Sequence, residues 1–77
     1  MSRVNYNGWA NYETWNVNLW AMNDERIYRQ VCARTPYSAL TAREMAESIW
    51  PSGKTPDGAR LDQVNWFEIR DSWNEAA

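Results

Sequence analysis

Apolar residues recur along this chain with a period near 3.6, in four short stretches separated by turn-forming residues. In the first, Trp15, Leu19 and Met22 stand at i, i+4 and i+7, one helical face, and Tyr12 and Trp20 widen it. Asn11 is a good N-cap for that helix, and Glu13 sits in its first turn, where the helix dipole favours an acid. A strand reading competes, because Thr14 to Leu19 also alternates apolar with polar; the longer helical spacing is favoured. Asn23, Asp24 and Glu25 make a break. Asn23 is expected to cap a second helix over about 24–34, with Met22 and Ile27 as its hydrophobic staple. That helix buries Ile27, Tyr28, Val31 and Cys32 and turns Arg26, Arg29 and Arg34 outward; Thr35-Pro36 ends it.

Thr41-Ala-Arg-Glu44 has the form of a capping box, with Leu40 and Met45 as the matching staple, and starts a third helix. Ala42, Met45, Ala46, Ile49 and Trp50 line one face of it, and Pro51 stops it. Residues 51–58 read as a loop. Asn65-Trp-Phe-Glu68 repeats the box with asparagine as the cap and Val64 and Ile69 as the staple. Trp66, Ile69, Arg70 and Trp73 then share a face of a fourth helix, where Arg70 can lay its stem along an indole. Residues 1–10 form an arm of turn formers (Asn5, Asn7, Gly8), anchored by Tyr6 and Trp9. The expected fold is mainly α: a compact bundle of three to four short helices over 11–76, one domain in all.

Composition says what must hold such a bundle together. A chain of 77 residues has a thin core. Its single cysteine, Cys32, excludes an internal disulfide, and with no histidine a structural zinc site is not expected either. Six tryptophans, four tyrosines and Phe67 are left to do that work by aromatic packing. Trp15, Trp66 and Trp73 are the expected core. Trp9 in the arm, Trp20 at the edge of its stripe and Trp50 at a helix end are the expected contacts with a partner.

Ten acids against eight bases give a net charge of −2, without the basic footprint of a general nucleic-acid binder. No apolar run is long enough to span a membrane, and no secretory leader is expected, so the expected location is the cytoplasm. Gly53-Lys54-Thr55 suggests a phosphate loop, but Ser48 stands where the first glycine is needed, and a solvated turn is the better reading. A histidine base is impossible within this chain. Cys32 reads as a small hydrophobe, and the acid pairs Glu13/Asp24 and Glu44/Glu47 already serve helix ends. No catalytic, cofactor or metal residue is therefore assigned. Asn16 and Asn18 are poor helix-interior residues. A structural bond from Asn16 to a backbone group is the first explanation, and recognition of a partner the second.

Asn11-Tyr-Glu-Thr-Trp-Asn-Val17, then Leu19-Trp20 and Asn23-Asp24-Glu25, with a looser second block at Val64 to Ile69, resembles a family of small uncharacterised proteins. Its members occur in bacteriophages, including cyanophages, and on bacterial plasmids and genomes. The resemblance implies mobile-element biology and brings no catalytic residue with it. The expectation is a non-catalytic, phage-encoded protein that binds a host protein complex and inhibits or redirects it, anti-CRISPR or other anti-defence activity coming first. Trp9, Trp20 and Trp50 would anchor it, beside Arg26, Arg29 and Arg34. The alternative is an accessory protein that stacks single-stranded nucleic acid on its Trp and Arg side chains.

Overall fold

The computed structural model describes residues 6–76. Residues 1–5 of the expected arm, Asn5 among them, lie outside the described residues. Four α-helices follow in order: α1 (Tyr12–Asn23), α2 (Glu25–Ala33), α3 (Ala39–Ile49) and α4 (Trp66–Ala76), with a 3₁₀ turn at Leu61–Gln63 before the last. The chain is mainly α, and α1 settles the helix-or-strand question. The face it buries is not the expected one, however: Trp15, Leu19 and Met22 are half-buried, and Thr14, Val17 and Ala21 turn inward instead. A cap fixes its start: Asn11 is extended and its Oδ1 accepts the Thr14 backbone N–H at 2.9 Å.

Two starts differ from expectation. Asp24, not Asn23, caps α2, accepting the Ile27 N–H at 3.1 Å, while the Asn23 amide turns back to the Leu19 carbonyl. The aspartate is thus both the end of α1 and the start of α2. α3 begins three residues before the Thr41 box, at Ser38. Ser38 Oγ accepts the Thr41 N–H, and Thr41 Oγ1 accepts the Ser38 N–H, so Thr41 closes the box rather than opening it. Leu40 consequently lies inside the first turn and is 65% exposed, instead of stapling onto Met45. Asn65 caps α4 as expected, accepting from the Phe67 and Glu68 N–H groups. The Glu68 carboxylate does not return to its own cap, however, and takes the Ala10 N–H at 2.9 Å.

α4 is the centre of the packing. α1, α2 and α3 all lie against it, and α1 also packs on α2, whereas α2 and α3 have no substantial contact with each other. The core joins Val17 and Ala21 of α1, Val31 of α2, Ala42 and Ala46 of α3, and Ile69 and Trp73 of α4. Small residues on α3 let it approach the large indoles of α4. Tyr37 sets its ring edge-on to Trp73 at 5.2 Å and donates its hydroxyl to the Val31 carbonyl at 2.7 Å. The Trp66 and Trp73 N–H groups have no acceptor among the described residues, so these indoles contribute through apolar area.

The tryptophans are sorted differently from the expected division. Trp66 and Trp73 are core, but Trp15 is half-buried in a surface cluster with Tyr6, at 4.9 Å, and Tyr12, at 5.8 Å. Trp50, expected at the surface, is only 8% exposed and belongs to the core. A residue that ends a helix can still be buried when the following loop folds back over it. Here the Gly53 N–H returns to the Trp50 carbonyl at 2.9 Å.

Candidate functional site

Several of the long-range polar contacts start on α1. Asn16 is 1% exposed, and its amide reaches the loop after α3 from 39 and 41 residues away. Its Nδ2 donates to Asp57 Oδ2 at 3.0 Å, and its Oδ1 accepts the Thr55 hydroxyl at 2.6 Å. The Trp20 indole N–H donates to that same Asp57 oxygen at 3.0 Å. Thr55, also buried, accepts the Ala59 N–H and so holds the loop in its turn. Gly58 adopts a φ of 87° there, a conformation that suits glycine. Asn16 therefore has a structural role, but its partners are side chains of a distant loop, not the neighbouring backbone. Asn18 is explained in the same way: its Oδ1 accepts the Ser72 hydroxyl of α4 at 2.7 Å.

The two stretches that carry the family resemblance meet in space. Thr14 Oγ1 accepts the Asn65 N–H at 2.8 Å and donates to Asn11 Oδ1 at 2.6 Å, while the Asn11 amide donates to the Gln63 carbonyl at 2.7 Å. The start of α1 and the start of α4 are one hydrogen-bonded joint. Ahead of it, Tyr6 and Trp9 exchange two backbone bonds across Asn7 and Gly8, both at positive φ, in a tight hairpin turn. Tyr6 folds onto Tyr12 and Trp15, and Trp9 packs against the core.

Three of the six residues expected to contact a partner gather elsewhere, around a groove between α2 and α3. One hollow of about 710 Å³ is walled by Arg26, Ile27 and Gln30 on one side and Ser48, Ile49 and Trp50 on the other, with Asn23 to Glu25 at its end. A second, of about 360 Å³, continues it past Ser48 and is lined by Arg34, Pro36, Tyr37, Glu44 and Met45. The groove exists because α2 and α3 each pack on α4 and not on each other. Ile27, Met45 and Ile49 are half-buried along it.

Of the remaining three, Arg29 is spent on Glu25, at 2.6 Å, in an exposed pair. Trp20 borders a separate hollow of about 340 Å³ with Leu19, Asn23 and Asp57. Trp9 lines a fourth, with Glu68 and Ser72 of α4. A further exposed apolar pair was not anticipated: Leu40 and Phe67 flank a shallow hollow between the starts of α3 and α4, with Arg70 over the Phe67 ring at 5.3 Å. Arg70 thus rides on a phenyl ring instead of an indole. The signal for Leu40 was available in Ser38, whose box shifts the helix start.

The electrostatics separate these surfaces. Tyr12 is held above its ordinary pKa by desolvation first, then by the negative charge of Asp57, with Tyr6 and Glu13 adding to it. The aromatic side of α1 is therefore acidic, and the arginines lie on another helix. Burial pushes the Tyr37 hydroxyl up, and Arg34 beside it pulls in the opposite direction. Among the described residues, no group of three or more His, Cys, Asp or Glu side chains could hold a metal ion. None of their helices is long and apolar enough to cross a membrane. A protein-family model described as a family of unknown function (DUF7249) matches residues 2–76. No curated protein and no solved structure matches the chain.

Proposed function

Because the chain belongs to this family of unknown function, membership supplies no activity, and we propose from the surface itself that the protein works by binding rather than by catalysis. Its target is a host protein complex, which it inhibits or redirects by occupying a docking position. The setting is the cytoplasm of a bacterium, with the gene carried by a phage. Anti-CRISPR or other anti-defence activity is the first form of this reading.

One observation supports it best: the groove between α2 and α3 collects Trp50, Arg26 and Arg34 beside half-buried apolar side chains, in a chain without histidine. Grooves between helices with an apolar floor and a charged rim suit the capture of a partner segment. Single-strand nucleic-acid binding has less support. Stacking needs several exposed rings beside cations; Phe67 under Arg70 is a single such ring, with Arg70 paired to Asp71, and Tyr6, Tyr12 and Trp15 pack on one another beside Asp57 and Glu13.

The test is phage plating on hosts with active CRISPR–Cas or other interference, with and without the chain expressed. Rescue of a targeted phage by the wild type, lost when Arg26 and Arg34 are both replaced by glutamate, is the expected result. Unchanged plating in every interference system would remove the anti-defence reading. Association of the purified chain with single-stranded DNA at low salt, weakening steeply as salt rises, would favour the nucleic-acid reading instead.

A further inference from the structure

Six arginines lie among the described residues, and four of them are paired: Arg29 with Glu25, Arg43 with Glu47, Arg60 with Asp62 and Arg70 with Asp71. The two without an ion pair among the described residues are Arg26 and Arg34, and those two line the groove between α2 and α3. They are eight residues apart on or just past one helix, roughly 12 Å along its axis.

The other charges of the groove are accounted for differently. Asp24 accepts the Ile27 N–H as the cap of α2, and Glu25 is held by Arg29. Glu44, on the α3 wall, has no ion pair among the described residues. The α2 side thus presents two arginines without an ion pair among the described residues, with the Asp24 carboxylate at its start, and the α3 wall presents one negative charge, Glu44. The larger hollow is mostly polar, with Ile27 and Ile49 as its aliphatic residues, and the apolar surface is greater past Ser48, where Met45 lies.

We propose that this groove takes an amphipathic helix of the partner, with two carboxylates about two turns apart on the flank that faces α2. This rests on the binding reading above and names the chemistry of what is bound. Residues at i and i+7 of a helix are ~10.5 Å apart along its axis, within side-chain reach of the ~12 Å between Arg26 and Arg34. The helix lays apolar side chains over Met45 and Ile49 and keeps acids away from Glu44. An extended segment is the poorer occupant. Its backbone N–H and C=O groups would need a sheet edge to pair with, and the described residues form isolated bridges but no strand.

Two synthetic helical peptides of about 21 residues, a length at which a helix can form, provide the probe. They share one apolar face and differ only on one flank, which bears glutamates at i and i+7 or lysines at the same places. Fluorescence anisotropy against the full chain measures both. The glutamate peptide is expected to bind about tenfold or more tighter at low salt and to lose that advantage as salt rises. The double variant R26E/R34E should reverse the preference while melting at the wild-type temperature. Equal affinity for the two peptides, binding of neither, or a preference that the double variant leaves unchanged would overturn the proposal. Failure of the peptides with phage rescue intact removes the groove assignment alone. Charge-selective binding with no rescue removes the anti-defence reading alone.

Discussion

The seam between α1 and the loop after α3 and the groove between α2 and α3 are both lined by polar side chains next to apolar ones. They use them in opposite ways. In the seam, Asn16, Thr55, Asp57 and the Trp20 indole satisfy one another, and Asn16 and Thr55 are buried. In the groove, Arg26 and Arg34 find no ion partner among the described residues, and no helix crosses to close it. A buried polar group left unsatisfied costs about 1–3 kcal/mol, so the mutual bonds of Asn16 and Thr55 stabilise the seam. An exposed arginine carries no such penalty and can wait for a partner. Closure of polar groups marks structure here, and its absence at a groove marks the candidate surface.

Trp50 stands where the two regions meet, ending α3 beside the groove and receiving the first bond of the loop. Trp50→Ala should therefore give the largest loss, about 3–5 kcal/mol as for other buried aromatics. In so small a domain that is enough to unfold a large fraction of the molecules. Trp15→Ala, removing a half-buried ring of the surface cluster, should cost about 1–2 kcal/mol, the transfer of a partly covered side chain. Urea unfolding of the two variants checks the order. If Trp15→Ala proved the more damaging, the division into core and surface indoles drawn from burial would be wrong.

Asn16→Leu breaks the seam directly. It takes the acceptor from the Thr55 hydroxyl and one of two donors from Asp57. A loss of about 1–3 kcal/mol is expected, because the buried Thr55 hydroxyl is left without its acceptor, while the exposed Asp57 keeps the Trp20 donor. Amide exchange should then quicken at Thr55, Gly58 and Ala59, whose N–H groups hold the loop. A change within about 0.5 kcal/mol, the range of neutral surface substitutions, would show that the loop stands without Asn16.

What could be read in advance follows the range of the interaction. Caps act over three residues, and Asn11 and Asn65 were legible because their helices begin beside them. The Thr41 box misled because Ser38 stands three residues earlier and Thr41 can serve as either half of a box. The Asn16 seam spans 39 residues or more, and no local pattern announces that Thr55 or Asp57 will arrive there. Trp15 and Trp50 were exchanged for a related reason. Periodicity places a side chain on a face, but it does not say whether another element will cover that face. Arg26 and Arg29 of α2 and Arg34 at its C-cap are exposed as expected, yet only the ion pairs show that Arg29 is engaged while Arg26 and Arg34 have no ion pair among the described residues.

Tyr37 tests the floor of the groove through pH. Its hydroxyl titrates above the ordinary tyrosine value in the fold, mainly through burial. Below the unfolded value of about 10 both states hold the proton, and the contribution to stability is constant. As pH rises past it, the unfolded chain loses its proton first, so stability falls through the folded pKa. The melting temperature should decline in that alkaline range, and Tyr37→Phe should lessen the decline while losing the bond to the Val31 carbonyl. Arg34→Glu should move the Tyr37 titration further up, because the Arg34 charge now opposes the shift. An unchanged ultraviolet phenolate titration in that variant would place Arg34 away from the groove floor.

The smallest effect on stability is expected from R26E/R34E, the substitution with the largest expected effect on binding. Neither arginine has an ion pair to lose among the described residues. At the start of α2 a glutamate in place of Arg26 suits the helix dipole, whereas at Arg34, the cap at the far end, it opposes it. Each such interaction is worth about 0.3–1 kcal/mol at an exposed site, and the two have opposite signs. The net change should therefore stay within about 0.5 kcal/mol, small enough to leave the melting curve in place. A strongly destabilised double variant would mean that these arginines already hold the molecule together. The contrast between a seam that is closed by its polar groups and a groove that leaves them free would then not stand.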